Sequence, residues 1–310
     1  VFPFPKEEIE NLSENNMERL AAFDAAGLLA GPGETIEAYR ERIIKVMGAV
    51  SGDEERLKKD GLINLDDVLA LRAEDRISPE IMREAASETE RLFAFSIDWI
   101  PGFFCSASLG FLWGGCSVHI PEESRTLFLV RGAFASKSRW LVYDRSELLA
   151  HELCHSARAP LNDMAYEEHF AYMTSNHRLR RVIGNCFRRR FDALFFLGPV
   201  FLVFFAQLIQ SFIWEPMPVW PFWIFLAVSV SAMLTANSLS RRLYFKAEDN
   251  LRRFGVARPA AVLFRCLSWE TRKIASLKNA EELNAMTGSS ASSELRWKII
   301  KHRFLAGGDR

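Results

Sequence analysis

Two stretches of the chain carry almost no polar positions. Residues 193–214 contain no charged side chain, and residues 216–239 form a second uncharged stretch. A helix rises about 1.5 Å per residue, and the hydrocarbon core of a bilayer needs roughly 20 such residues. The pattern predicts a transmembrane helical hairpin, about 193–214 and 218–239, turning at Glu215, Pro216, Met217 and Pro218. A pair of buried core helices is the competing reading, but soluble core helices rarely run so long without a charge. Gly198 and Pro199 in the first span are tolerated in membrane helices. Lying so far along the sequence, neither stretch has the position of a signal peptide.

Elsewhere the periodicity is that of helices packed on one face. Ile36, Tyr39, Ile43, Ile44 and Met47 recur at helical spacing after a Gly31, Pro32, Gly33 turn. Ser78 followed by Pro79 opens a further helix over about 79–95. The apolar stretch 99–118 is broken by Pro101, Gly102, Gly110, Gly114 and Gly115. Those breakers favour buried strands and turns over a third span or a membrane-inserted loop. Two short strand-like runs, 126–130 and 140–143, are predicted to pair as a hairpin. The fold class expected is α+β, mostly helical, with a short antiparallel sheet. Four regions result: an acidic helical region 1–92, a mixed region 93–190, the hairpin 191–240 and a basic helical region 241–310.

Charge sharpens the division. The chain has 39 basic and 39 acidic side chains, yet residues 1–90 hold 21 acidic against 11 basic, and residues 176–310 hold 21 basic against 9 acidic. The acidic excess reads as a solvated helical face. Arg188, Arg189 and Arg190 precede the first span, while Arg241, Arg242 and Lys246 follow the second. Because Lys and Arg resist translocation, both flanks are expected in the cytoplasm and the 214–220 turn outside. Arg252, Arg253, Arg258, Arg265, Arg272 and Lys273 then suit anionic inner-leaflet lipid better than nucleic acid. Cys105, Cys116, Cys154, Cys186 and Cys266 form no CxxC pair, which speaks against a disulfide framework or a thiolate zinc cluster.

The chemistry concentrates at 151–155, which reads His151, Glu152, Leu153, Cys154, His155. On a helix, positions i and i+4 share a face, so both imidazoles can reach one ion, and Glu152 is placed to act as a base. Asp144 with Glu147 looks like a capping box, and Pro160 ends the element. A catalytic zinc needs a third protein ligand and an open fourth position. Leu161, Asn162 and Asp163 read as a tight loop, with Asp163 capping the next helix and forcing it antiparallel. Glu168 then stands level with His155 and completes a His-His-Glu site; Glu167 is the alternative ligand and His169 a third choice.

Together with Tyr166, Glu167, Glu168, His169, Phe170, Ala171 and Tyr172, the motif resembles the gluzincin-type zinc metallopeptidases, locally the HtpX-like and ImmA/IrrE-like ones. In those families a Glu with Ala three residues later supplies the third ligand, here Glu168 and Ala171. The likeness covers about 125–175. It departs where Tyr172 replaces the usual Asp, and where the spans follow both motif elements. It implies a small zincin-like catalytic domain that binds Zn2+ and hydrolyses a peptide or protein substrate, with Glu152 as general base. Tyr166, Tyr172, Arg158 and His169 are candidates to stabilise the oxyanion. Runs 126–130 or 140–143 could bind substrate by edge pairing. Cys154 reads as core, with a redox switch on the metal as the sharper alternative; His119, His177 and His302 read as non-ligands. Charged residues Arg145, Glu147 and Arg158 around the motif place it outside the bilayer. The rival readings are a non-catalytic membrane adaptor with a structural zinc, and a zinc hydrolase of a non-peptide amide.

Overall fold

Local signals set the ends of the helices that form most of the molecule. The computed structural model describes residues 1–65, 70–105, 114–120, 125–141, 143–187, 191–291 and 294–305. The helices are α1 (Lys6–Glu10), α2 (Met17–Ala25), α3 (Ile36–Asp60), α4 (Pro79–Phe93), α5 (Arg145–Arg158), α6 (Glu167–Met173), α7 (Arg178–Ile183), α8 (Asp192–Phe212), α9 (Trp220–Arg253), α10 (Pro259–Phe264), α11 (Ser268–Ser276), α12 (Ala280–Ala291) and α13 (Leu295–Ile300). Asn16 and Thr35 cap α2 and α3 by accepting the backbone N–H three residues on. Helix α3 ends where Gly61 takes a φ of 71°, a conformation natural to glycine. Pro79 sits in the first turn of α4, as its fixed φ and missing N–H allow.

The strands are β1 (Leu62–Asn64), β2 (Ala70–Arg72), β3 (Gly102–Cys105), β4 (Gly115–Ile120), β5 (Arg125–Arg131), β6 (Arg139–Trp140) and β7 (Tyr143–Asp144). The main sheet is mixed rather than antiparallel, in the order β3-β5-β4. Strand β3 runs parallel to β5 and β4 runs antiparallel to it, with Gly102 opposite Phe128 and Gly115 opposite Val130. Among the described residues, 126–130 pairs with β3 and β4 and not with the expected 140–143. Leu127, Phe128, Leu129 and Val130 are all buried, so β5 needs cover on both faces and takes the central place. The second run is broken by Leu141 at a φ of 50°, and β6 folds straight back onto β7. Gly110, Val142, the Arg188 to Arg190 flank and the side chain of His119 lie outside the described residues.

The sequence regions are not packed as separate bodies. One apolar core joins Leu20 and Phe23 of α2, Phe93 of α4, Leu149 and Leu153 of α5, Phe170 of α6, Tyr244 of α9 and Trp297 of α13. Buried ion pairs tie the acidic start of the chain to its basic end. Arg265 donates to both oxygens of Asp24, at 3.0 and 2.8 Å from Nε, and to the carbonyl of Phe93 at 2.7 Å. Arg303 also pairs with Asp24. Arg296 and Trp297 donate to Glu270 at 2.7–2.9 Å. Arg265 is thus removed from the set of lipid-facing basic residues, because its charge is spent inside the core.

Helices α8 and α9 differ from everything else. Over their most apolar 18-residue stretches the mean hydropathy is 2.0 and 1.6, and only 17% and 11% of those stretches are buried. Phe195, Phe204, Phe205, Trp223, Phe225 and Leu239 point outward. A soluble core helix hides such side chains, so these are two packed helices long and apolar enough to cross a membrane. At about 1.5 Å per residue, the last turns of α9 extend well past its apolar part. There Tyr244, Ala247, Asn250 and Leu251 enter the core.

Candidate metal centre

Helix α5 begins where Asp144 accepts hydrogen bonds from Ser146 N (3.1 Å) and Ser146 Oγ (2.9 Å). Glu147 does not close the expected capping box. Its carboxylate instead accepts from Asn176 N at 2.7 Å and Ser175 Oγ at 3.0 Å, pinning the segment after α6. Leu149, Ala150, Leu153, Cys154 and Ala157 bury one face of α5, which leaves His151 and His155 together on the other. Burial and the nearby Glu167 charge push the Cys154 thiol well above its usual range, fitting the core reading of this residue. After α5 the chain turns through Asn162 at a φ of 48°. Asp163 does not cap α6: one oxygen accepts from Ala165 N at 3.0 Å and the other from Ser268 N, and the helix starts only at Glu167.

This arrangement brings His151, His155 and Glu168 together, with ligand atoms all within 4.8 Å, a group that could hold a metal ion. The two Nε2 atoms are 3.2 Å apart. Glu168 places one oxygen 3.7 Å from His151 Nε2 and the other 3.6 Å from His155 Nε2. Around a tetrahedral zinc with bonds of about 2.0–2.1 Å, neighbouring ligand atoms stand roughly 3.3 Å apart. The spacing fits that triangle with a small contraction at Glu168. The donors fit as well: two imidazole nitrogens this close repel unless a proton or cation lies between them.

Electrostatics give the three residues different roles. Burial and the adjacent His155 push the His151 pKa down to about 3, so its imidazole is neutral and ready to ligate. Burial also opposes charge on His155, but Glu167, Glu168 and Glu152 outweigh it and raise its pKa. Glu168 is raised by burial and by the Glu152 and Glu167 carboxylates, against the pull of His155. Carboxylates confined in one buried site are the environment that a divalent cation relieves.

Glu167, the alternative ligand, lies behind the triangle. Its Oε2 is 3.4 Å from His155 Nδ1, and its Oε1 accepts from Arg158 Nε at 2.7 Å. That is the place of a carboxylate orienting a metal-bound histidine. Arg158 is 1% exposed and packs over Phe170, so it does not reach the cleft as an oxyanion donor. Glu152 is held from the sheet side, where Ser117 N of β4 donates to Oε2 at 2.9 Å.

His151 and Glu168 of the triangle line a cleft of about 680 Å³ whose walls also include Gly115, Leu148, Glu152, Tyr172, Arg180 and Ile183. Of the four oxyanion candidates only Tyr172 lines it, its ring edge-on to His151 with centroids 4.7 Å apart. Tyr166 is 3% exposed and its hydroxyl donates to Ser240 O at 3.4 Å, away from the cleft. His169 packs against Tyr244 with centroids 4.3 Å apart, excluding it as a third ligand in this geometry. His177 stands exposed at the start of α7, and His302 pairs with Glu18 at 3.4 Å, both apart from the triangle. Arg180, which the sequence reading passed over, stacks on Tyr143 and lies 3.5 Å from Glu147 in the cleft wall. Nothing in its local pattern distinguishes it from the other arginines of 178–190. No family model, curated protein or solved structure matches the chain.

Proposed function

We propose that this protein is a membrane-anchored zinc-dependent metallopeptidase, built on a zincin-like arrangement of α5, α6 and the edge strand β4. The observation that carries the reading is a three-donor triangle facing an open cleft, with a fourth carboxylate, Glu152, beside it but outside it. Structural zinc sites close with four ligands and have no use for a neighbouring base; catalytic sites keep one position open. When bound, zinc would polarise the scissile carbonyl and make water a competent nucleophile near neutral pH.

The chain's own residues account for the rest. Glu152, aimed by the Ser117 N–H, accepts a proton from the attacking water and returns it to the leaving amine. Tyr172 and Arg180 supply donors on the cleft wall for the developing oxyanion. Among the described residues β5 has strand neighbours on both sides and β4 on one, so edge pairing of substrate falls to β4 and not to 126–130. Helices α8 and α9 would cross the bilayer as a hairpin. Arg241, Arg242 and Lys246 beside the end of the second span favour a cytoplasmic catalytic face.

The test pairs metal analysis with turnover of a peptide library by the purified full chain. The expected result is one zinc per chain and hydrolysis that Glu152→Gln abolishes without loss of metal. Zinc without any turnover in the unaltered chain would favour a structural site in an adaptor. Full metal content in His151→Ala would remove the site itself.

A further inference from the structure

Residues 178–187 form one wall of the cleft through Leu179, Ile183, Gly184 and Phe187. Those side chains also face outward: Leu179 is 70% exposed, Val182 46%, Ile183 42% and Phe187 41%. At about 100° per residue, Leu179, Val182 and Ile183 share a narrow arc of α7, with exposed Arg178 and Arg181 beside it. A short amphipathic segment with arginines flanking an apolar stripe suits the boundary between headgroups and acyl chains. In water the stripe would be an aggregation liability.

Its height along the membrane helices is fixed by hydrogen bonds. Asn237, 2% exposed in the second apolar stretch, donates to Val182 O at 2.6 Å and to Cys186 Sγ at 3.3 Å. It also accepts from Asn185 Nδ2 at 3.1 Å. One turn on, Arg241 donates to Arg181 O. The segment is thus bolted to α9 across the end of the apolar span, about 3 Å below and above Leu239 along the helix axis. Phe191, which precedes α8, also faces outward at 68% exposed. A polar Asn in a span is costly unless it is satisfied. This clamp satisfies it.

We infer that residues 178–187 are an in-plane membrane anchor and that the cleft mouth opens into the headgroup layer. The chain it receives is therefore one attached to the bilayer, with its scissile bond within a few residues of the lipid. The substrate clause rests on the peptidase reading; the anchor does not.

Spin labels separate the two. In a Cys116→Ser background, Leu179→Cys, Val182→Cys and, as an aqueous reference, Glu281→Cys are labelled in the full chain in nanodiscs containing anionic lipid. Labels at 179 and 182 should be relaxed at least threefold more by oxygen than by an aqueous nickel chelate, with the ratio reversed at 281. Nickel accessibility at 179 and 182 equal to that at 281 would overturn the anchor. In a second arm, lipidated peptides carry the same cleavable sequence about 4 or about 20 residues from the lipid. The near bond should be cut at least tenfold faster. Equal rates, or preference for the far bond, would overturn the cleft-mouth placement. Cleavage of neither, with lipid-facing labels, would leave the anchor standing and remove the peptidase reading with its substrate clause.

Discussion

Glu167 and Glu168 are neighbours in sequence, and the geometry assigns them different tasks that substitution can separate. Glu168→Gln replaces the anionic carboxylate of the triangle with a neutral amide, a much weaker metal ligand. Glu167→Gln leaves the triangle intact but weakens the hold on His155 Nδ1, 3.4 Å away. Partners of this kind are worth roughly 10–100-fold in metal affinity, or about 1.4–2.7 kcal/mol. A second cost falls on the fold. Arg158 is 1% exposed and Glu167 8%, so solvent screens their 2.7 Å ion pair very little. Removing one member of a buried pair strands the other charge, at about 3–5 kcal/mol. Glu167→Ala should approach that figure, while Gln keeps an oxygen that can still accept from Arg158 and should cost less. Chelator competition gives the zinc affinity, and guanidinium unfolding of the metal-free protein in mild detergent gives the stability. The expected pattern is a large affinity loss with little metal-free destabilisation for Glu168→Gln, and a modest affinity loss with clear destabilisation for Glu167→Ala. The reverse pattern would show that the two carboxylates had been assigned the wrong way round.

Four further outcomes are expected. Ser117→Pro deletes the N–H that aims Glu152 at an edge-strand position where the sheet loses no hydrogen bond; turnover should fall by about 10- to 100-fold with zinc stoichiometry unchanged. A Cβ at Gly184 would overlap the Tyr172 ring that packs on His151, so Gly184→Ala should lower both zinc affinity and kcat, read by competition titration and steady-state kinetics. Asp24→Ala strands Arg265 in the core and should destabilise the protein by about 3–5 kcal/mol in guanidinium unfolding, although the site is built from other helices. A zinc ion held by the triangle would join α5 to α6, so chelation should lower the Tm measured by scanning calorimetry, and a Tm indifferent to chelator would count against metal binding at this site.

Much of the molecule was legible because its signals are local. Asp144 with an apolar stripe was enough to place His151 and His155 on one helical face, since four residues of helix are one turn wherever the helix lies. The two long apolar helices were legible for the same reason: length and lack of charge are properties of a stretch, not of its surroundings. Asn237 was not singled out by its local pattern, because its partners at 182, 185 and 186 lie more than fifty residues away.

Only the tertiary structure decided what depends on distant partners. The run 126–130 could be read as a strand, yet its neighbours were settled by which strands cover a segment buried on both faces. Asp163 looked like a helix cap, and the competing N–H that claims its second oxygen belongs to Ser268, 105 residues on. That competition lets α6 start at Glu167, turning Glu168 into the triangle, Glu167 behind it and Tyr166 out of the cleft. Asp24 with Arg265, and α9 running on from the apolar stretch into the core, likewise exist only once the chain has closed on itself. Local sequence fixes periodicity and capping over a few residues; the free energy of burial and of long-range ion pairs chooses among the partners those local elements meet.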